Sequence, residues 1–347
     1  AHPHIGTEKL PLVINKMRDE IIQKGGEFHF ETKCEDFIIE NGTIKGIEAK
    51  NTKTGESTQF YGDAVLLSTG HSAADIYQLI AKNNPSSLQA KTFAAGVRVE
   101  HSRMLIDAMQ YHGKLSENLP AAEYRITAQV EERGVYSFCM CPGGFIVPSS
   151  TGPDEIVVNG MSSSERNSKW SNAAIVVEIR PEDIPSEFVD EAKKNGCEAL
   201  AGLYFRTWLE KQAKLNGKGQ KAPSQRMVDF INEEKSKTLP ATSYTPGVVS
   251  SKLNDWLPPF IAERLKIAFS EFNKKMRGYI SEDALLVAIE SRTSTPVRIL
   301  RDKDSLECVG IKGLYPCGEG SGYSGGIVSS AMDGENSADK ILEKINS

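Results

Sequence analysis

The chain has 347 residues, 39% of them hydrophobic and 25% charged, enough for a large buried core most simply divided between two domains. Its formal net charge of -5 gives no electrostatic reason to expect a nucleic-acid or anionic-membrane partner, and no apolar run approaches the length of a bilayer span. Six cysteines, at 34, 139, 141, 197, 308 and 317, are too sparse for a disulfide scaffold and suit a reducing cytoplasm.

The opening Ala1-His2-Pro3-His4 carries no signal peptide and begins mid-theme, so a trimmed start is expected. Thr7 reads as the N-cap of a helix in which Leu10, Val13, Ile14, Met17, Ile21 and Ile22 recur at helical spacing, with Gly25-Gly26 as its stop. Phe28 and Phe30 alternate with His29 and Glu31 as in a short strand. Asn41-Gly42, between two apolar stretches, signals a tight hairpin, and a turn at Lys53 to Gly55 leads to a third strand over 57–61. The run Ala64 to Leu67, ending in Ser68-Thr69-Gly70, fits a strand buried on both faces of a parallel sheet. Residues 92–177 are strand-rich and 185–289 helical, with breaks near Gly217, Pro240 and Pro258-Pro259. Residues 313–317 make a short strand, followed by a glycine-rich turn and a helix from about Ile327 to Ile345.

That turn, Gly320-Ser-Gly-Tyr-Ser-Gly325, matches G-x-G-x-x-G after a strand and before a helix. A dinucleotide fingerprint would open a βαβ unit with an acidic residue roughly twenty positions on, whereas here the sequence ends shortly after the helix, so the match is not a complete nucleotide unit. Gly325, Gly326 and Ile327 nevertheless stand at a helix N-terminus, whose free amides and partial positive charge suit a phosphate or the electron-rich edge of a reduced flavin. Glu319 is placed to accept hydrogen bonds from sugar-like hydroxyls. Close packing of helix on strand explains the same glycines equally well.

In the middle of the chain, Cys139-Met140-Cys141-Pro142 sets two thiols at C-x-C spacing, as in a redox pair, half of a metal site, or two buried structural cysteines. No second paired motif supplies the further ligands that zinc needs, and no metal is expected. Arg292 suits a positive charge beside a flavin or an anionic substrate, or equally a salt bridge with Glu290 or another acid. Arg98, Glu100 and His101 alternate as solvated strand positions do. His71 suits proton transfer, or capping of the following helix.

The stretch Gly313-Leu-Tyr-Pro-Cys-Gly-Glu-Gly-Ser-Gly-Tyr-Ser-Gly-Gly-Ile327, continuing to Asp333-Gly334, resembles the C-terminal FAD motif of glutathione-reductase-like flavoproteins. More narrowly it is similar to the bacterial NAD(FAD)-utilising dehydrogenase family, whose relatives include BaiN-like flavoproteins. His4 to Thr7, Gly96 to His101, Val135 to Gly144, Asn159 to Met161 and Glu290 to Ile299 carry the likeness across the chain. The resemblance implies a discontinuous, Rossmann-like three-layer β/β/α FAD domain (1–90 and 291–347) interrupted by an inserted α+β substrate domain (91–290). It places Thr69, Gly70 and His71 beside the cofactor, the backbone of Cys34 near the adenine, and Gly318 and Glu319 at the ribityl chain, where Asp is usual. Gly325, Gly326 and Ile327 then face the flavin ring. Family members carry the true G-x-G-x-x-G unit ahead of the equivalent of Ala1, so weak FAD binding by this polypeptide is expected. The implied activity is an FAD-dependent dehydrogenase with NAD(P)H as donor, while Cys139, Cys141 and Arg292 are candidate catalytic residues on their own chemistry. A binding or assembly protein on the same fold, and a thiol- or metal-based enzyme centred on Cys139 and Cys141, stand as alternatives; homo-oligomerisation stays open.

Overall fold

The computed structural model describes residues 4–114 and 118–346; Ala1, from which a trimmed start was expected, lies outside them. A short 3-10 turn (Thr7–Lys9) precedes helix α1 (Leu10–Gln23). Thr7 does not cap this helix, because its amide and hydroxyl both bond the Ser162 carbonyl, each at 3.1 Å. The apolar residues Leu12, Ile14, Met17, Ile21 and Ile22 are exposed. Phe28 and Phe30 belong to no strand; they stand exposed and stacked at 6.1 Å, because ladder pairing starts only at Thr32.

Strands β1 (Thr32–Glu40), β2 (Thr43–Asn51) and β3 (Ser57–Tyr61) form an antiparallel meander. Asn41 and Gly42 close its first hairpin with φ of 51° and 75°, the left-handed pair whose twist matches the flanking strands. Next come β4 (Val65–Leu67), α2 (Ala74–Asn83), β5 (Leu88–Ala90), β6 (Phe93–Ser102), α3 (Arg103–Gln110), β7 (Thr127–Val130) and β8 (Arg133–Cys141). After β9 (Phe145–Pro148), β10 (Val158–Met161) and β11 (Trp170–Ile179), the chain turns helical with α4 (Ser186–Lys194) and α5 (Ala201–Asn216). The remaining elements are β12 (Ala222–Arg226), α6 (Met227–Ile231), β13 (Val248–Ser250), α7 (Pro259–Lys275), β14 (Leu285–Glu290), β15 (Val297–Ile299), β16 (Leu314–Pro316) and α8 (Ile327–Ile345). Pro259 opens α7, where its missing N–H is harmless.

The chain forms two compact units in a mixed α/β structure. The first comprises Gly25–Phe93, Arg180–Phe205 and Ser294–Ser347; the second comprises Ala1–Lys24, Ala94–Ile179 and Arg206–Thr293. This partition differs from boundaries at 90 and 290 in two places. Residues 1–24 join the central unit because His4, Thr7 and Glu8 bond the backbone of Ser162, Ser163 and Ser164. Residues 180–205 join the other because Cys197, Leu200 and Leu203 enter its core, with Phe37, Ile44, Leu67, Ile80 and Leu314.

In the first unit β4 and β16 form a parallel pair, with Leu314 opposite Val65 and Pro316 opposite Leu67. Leu67 is buried but Leu66 is exposed, so β4 is not covered on both faces. The second unit holds a seven-stranded mixed sheet ordered β13-β12-β14-β6-β11-β8-β7. Its middle strand β6 is buried almost end to end, and Arg98, Glu100 and His101 are buried with it rather than solvated. A strand at the centre of a covered sheet has no water-facing side, so alternation along it does not mark solvent. No helix among the described residues is long and apolar enough to cross a membrane.

Candidate functional site

In the first unit, the parallel pairing of β4 and β16 brings two chain segments out at one edge, and the Cys317 amide, donating to the Leu67 carbonyl at 2.9 Å, extends the ladder. One segment carries Thr69, Gly70 and His71; the other carries Gly318, Glu319 and Gly320. Crevices beyond the carboxyl ends of parallel strands are where such sheets hold ligands.

The turns interlock through glycine. A Cβ on Gly320 would lie 2.5 Å from the Gly70 carbonyl oxygen, and the Tyr77 hydroxyl donates to the Gly320 carbonyl at 2.6 Å. His71 does not cap α2, whose N-cap is Ala73; its Nδ1 meets Glu319 Oε1 at 3.1 Å. Gly318, with φ 77°, directs its amide to Asp333 Oδ2 at 2.7 Å. Arg301 grips both Asp333 oxygens at 3.0 and 2.7 Å and reaches the Pro316 carbonyl at 2.8 Å. Burial pushes the Asp333 carboxyl up, but hydrogen bonds from Arg301 and Gly318 outweigh it and hold the carboxyl below its ordinary range. The guanidinium of Arg301 also stacks over Tyr323 at 4.0 Å. Burial lowers the ammonium pKa of Lys91; the charge of Arg298 adds to this and Glu319 opposes it.

Sequence reading missed this Arg301–Asp333 clamp, together with Tyr77, Lys91 and Arg298. The only signals were Asp333-Gly334 and Arg298 inside the family stretches.

At the start of α8, by contrast, space is open. A Cβ on Gly325 or Gly326 would meet nothing within 4 Å, and Ile327 and Val328 are 74% and 73% exposed. The amide end of a 19-residue helix therefore faces an unobstructed region. Thr69 is exposed at the same edge. Cys34 sits within β1, partly buried against the unit's core, its thiol 3.7 Å from the Asp36 carbonyl and pushed up in pKa by burial.

The candidate catalytic residues lie in the second unit. Arg292 is buried, and its guanidinium is taken up by Glu210 (3.0 and 2.9 Å) and Glu155 (2.7 Å), with Thr151 and the Ser149 carbonyl beside them. Its acid partners are thus Glu210 and Glu155; Glu290 pairs instead with Arg98, at 2.8 Å. Arg98 is completely buried and also donates to Asn172 (2.8 Å), Asn159 (3.3 Å) and the Cys139 carbonyl (3.1 Å). Cys141 is buried and Cys139 exposed. No cluster of three or more His, Cys, Asp or Glu side chains suited to a metal occurs among the described residues.

A family model described as "FAD-dependent protein, C-terminal domain-like" matches residues 92–293, more than half of the chain. An uncharacterized protein of Clostridium beijerinckii is 40% identical over 351 aligned residues, which cover 99% of this chain and 62% of the relative. The chain therefore spans less than two thirds of that relative's length. Among solved structures, Mycobacterium smegmatis Sdh1 in complex with UQ1 aligns at 16% identity over 95% of this chain and 43% of its own, with a TM-score of 0.29. A mutant of the E. coli quinol fumarate reductase FrdA aligns at 14% identity over 90% of this chain and 45% of its own, with the same TM-score of 0.29. The chain belongs to the family of FAD-dependent proteins that share this C-terminal domain.

Proposed function

We propose that the chain carries the flavin and ribityl side of an FAD site in a dehydrogenase of the NAD(FAD)-utilising, BaiN-like kind, built on a Rossmann-like framework and taking hydride from NAD(P)H. The observation that carries the reading is the open, glycine-walled end of the β4–β16 pair, onto which the amide end of α8 faces. The residues fit the cofactor. Gly325 and Gly326 leave room where side chains would obstruct a planar ring, and Glu319, 3.1 Å from His71 Nδ1, is partly exposed.

In this reading the amides of Gly325 to Ile327 face the electron-rich edge of the ring, where a helix N-terminus stabilises negative charge by about 0.3–1 kcal/mol. Glu319 accepts from the ribityl hydroxyls, His71 orients it, and Gly318 and Gly320 keep the turn close. Thr69 and Gly70 pass beside the cofactor, with the Cys34 backbone toward the adenine. When bound, FAD supplies two-electron transfer. We expect the chain by itself to hold FAD weakly.

The visible spectrum tests this. This chain and the full-length C. beijerinckii relative are each incubated with FAD and desalted. The longer protein is expected to retain a flavin band near about 450 nm and this chain little of it. A longer protein that leaves all its FAD in the small-molecule fraction would overturn the reading.

A further inference from the structure

The second unit carries a feature that the FAD reading leaves unused. Strand β8 pairs with β11, but between Asn172 and Ala174 the partner advances three residues, from Cys141 to Phe138. The extra residue is a bulge, a device that re-aims side chains and increases local twist. Cys139 sits in it with φ 44°, a left-handed conformation rare for a residue with a side chain. In a regular strand, residues i and i+2 have Cα atoms about 6.6 Å apart, near the upper limit for a disulfide. A bulge departs from that regular spacing. The Cys141 thiol donates back to the Cys139 carbonyl at 3.3 Å, and Arg98 Nη1 stands 3.9 Å from the Cys141 sulfur. Gly160 makes the space, since a Cβ there would lie 2.9 Å from that sulfur and 2.1 Å from Arg98 Nη1. The exposed Cys139 opens on a cavity of ≈ 680 Å³ lined also by Tyr124, Arg125, Tyr136, Phe138 and Met140.

We propose that Cys139 and Cys141 form a redox dithiol that reduces small disulfides entering this cavity, Cys139 attacking and Cys141 resolving. The Cys139 thiolate bonds one sulfur of R–S–S–R; the S–S bond breaks, and its electron pair leaves on RS⁻, which takes a proton from water. Cys141 gives its proton to solvent and bonds the Cys139 sulfur of the mixed disulfide, expelling the second RS⁻, which is protonated in turn. The net change is R–S–S–R plus two thiols to two RSH plus the Cys139–Cys141 disulfide: the protein loses two electrons and the substrate gains them.

Electrostatics agree with this division of roles. Interaction with the Cys141 thiol, opposed by burial, brings Cys139 down to about 6, and the same pairing, with burial adding to it, raises Cys141 well above its ordinary value. Arg98 from β6 favours both thiolates and Glu290 from β14 opposes them, while Tyr124, ahead of β7, is itself pushed up to about 12 by burial and stays a neutral hydroxyl.

The test uses 4,4′-dithiodipyridine on this chain carrying Cys34→Ser, since Cys34 is the other cysteine that is not buried. The expected result is a burst of about two thiopyridones per chain, with a peptide map placing a disulfide between Cys139 and Cys141. Cys141→Ser should give about one and keep the mixed disulfide on Cys139, and Cys139→Ser should abolish the burst. Relative to a free-cysteine peptide, the burst should be only about twofold faster at pH 7, because a low pKa also reduces nucleophilicity, but faster by an order of magnitude near pH 5.5. A parent burst of about one thiopyridone, a burst that survives Cys139→Ser, or a rate that tracks the free-cysteine peptide would overturn the proposal. The peptide map and the pH profile need no substitution at Cys139 or Cys141, so a misfolded variant does not shield it. No flavin is present, so the outcome is independent of the FAD reading.

Discussion

Around Glu319 the chain makes room by omitting side chains, whereas around Arg98 it fills a sheet interior with charges. In the first region buried Gly318 and Gly320 let the turns pack closely, Gly325 and Gly326 bring backbone to open space, and the ion pairs beside them stay partly exposed. In the second, a fully buried guanidinium has a buried carboxylate, two asparagine oxygens and a carbonyl around it. The difference predicts how each region fails. A backbone-built site is sensitive to one added methyl. A buried ionic cluster tolerates neither the loss of a partner nor the gain of a proton, because the group left behind keeps its desolvation cost.

The largest effect should follow Arg98→Met, which strands the Glu290 carboxylate, itself 2% exposed, in the sheet interior. The expected loss is about 3–5 kcal/mol in urea denaturation. Adding Glu290→Gln should recover much of it, because the stranded charge is gone. A single variant within about 1 kcal/mol of the parent would mean that water reaches the cluster, and the contrast with the open site would fail.

Next in size is acid sensitivity from His101. Its Nε2 meets the Tyr279 carbonyl at 2.8 Å, so that nitrogen carries the hydrogen, and buried Nδ1 has no hydrogen-bond partner among the described residues. Burial lowers its pKa from 6.5 to about 4, with the Tyr279 carbonyl opposing. Between those values the unfolded chain binds a proton that the folded chain refuses, so stability falls as pH drops through this window. The whole window amounts to about 3 kcal/mol. His101→Gln, which does not titrate, should flatten the decline between about pH 6.5 and 4. An unchanged slope would assign the acid loss to other groups.

These two regions also mark what the sequence made legible. The Asn41-Gly42 hairpin and the α8 boundaries are set by local chemistry, a left-handed turn and a glycine stretch before a helical repeat, and both read correctly. The same locality made Gly318 to Ile327 legible as a glycine-rich turn between a strand and a helix. The Arg98 cluster was not legible, because its partners Cys139, Asn159, Asn172 and Glu290 are brought to it by the pairing of distant strands. Nothing within a window around Val97 to Val99 distinguishes a charge on a solvated strand from one at a sheet centre. Phe28 and Phe30 failed for a related reason: alternation was present, but no neighbouring strand was there to pair with them.

The smallest stability effects separate two glycines within the open region itself. Gly320→Ala drives a methyl to 2.5 Å from the Gly70 carbonyl, a backbone atom that can yield only if the interlocked turns part. A loss of about 1–3 kcal/mol is expected from such overpacking. Gly325→Ala puts its methyl into open space and should change stability by less than about 0.5 kcal/mol. If a ring occupies that space, however, the same methyl stands where the ring must lie, and in the longer polypeptide FAD retention should fall about tenfold, equivalent to about 1.4 kcal/mol. Thermal melts and equilibrium dialysis against FAD separate the cases. A Gly325→Ala protein that melts normally and binds FAD normally would show that the space in front of α8 is not where the flavin sits.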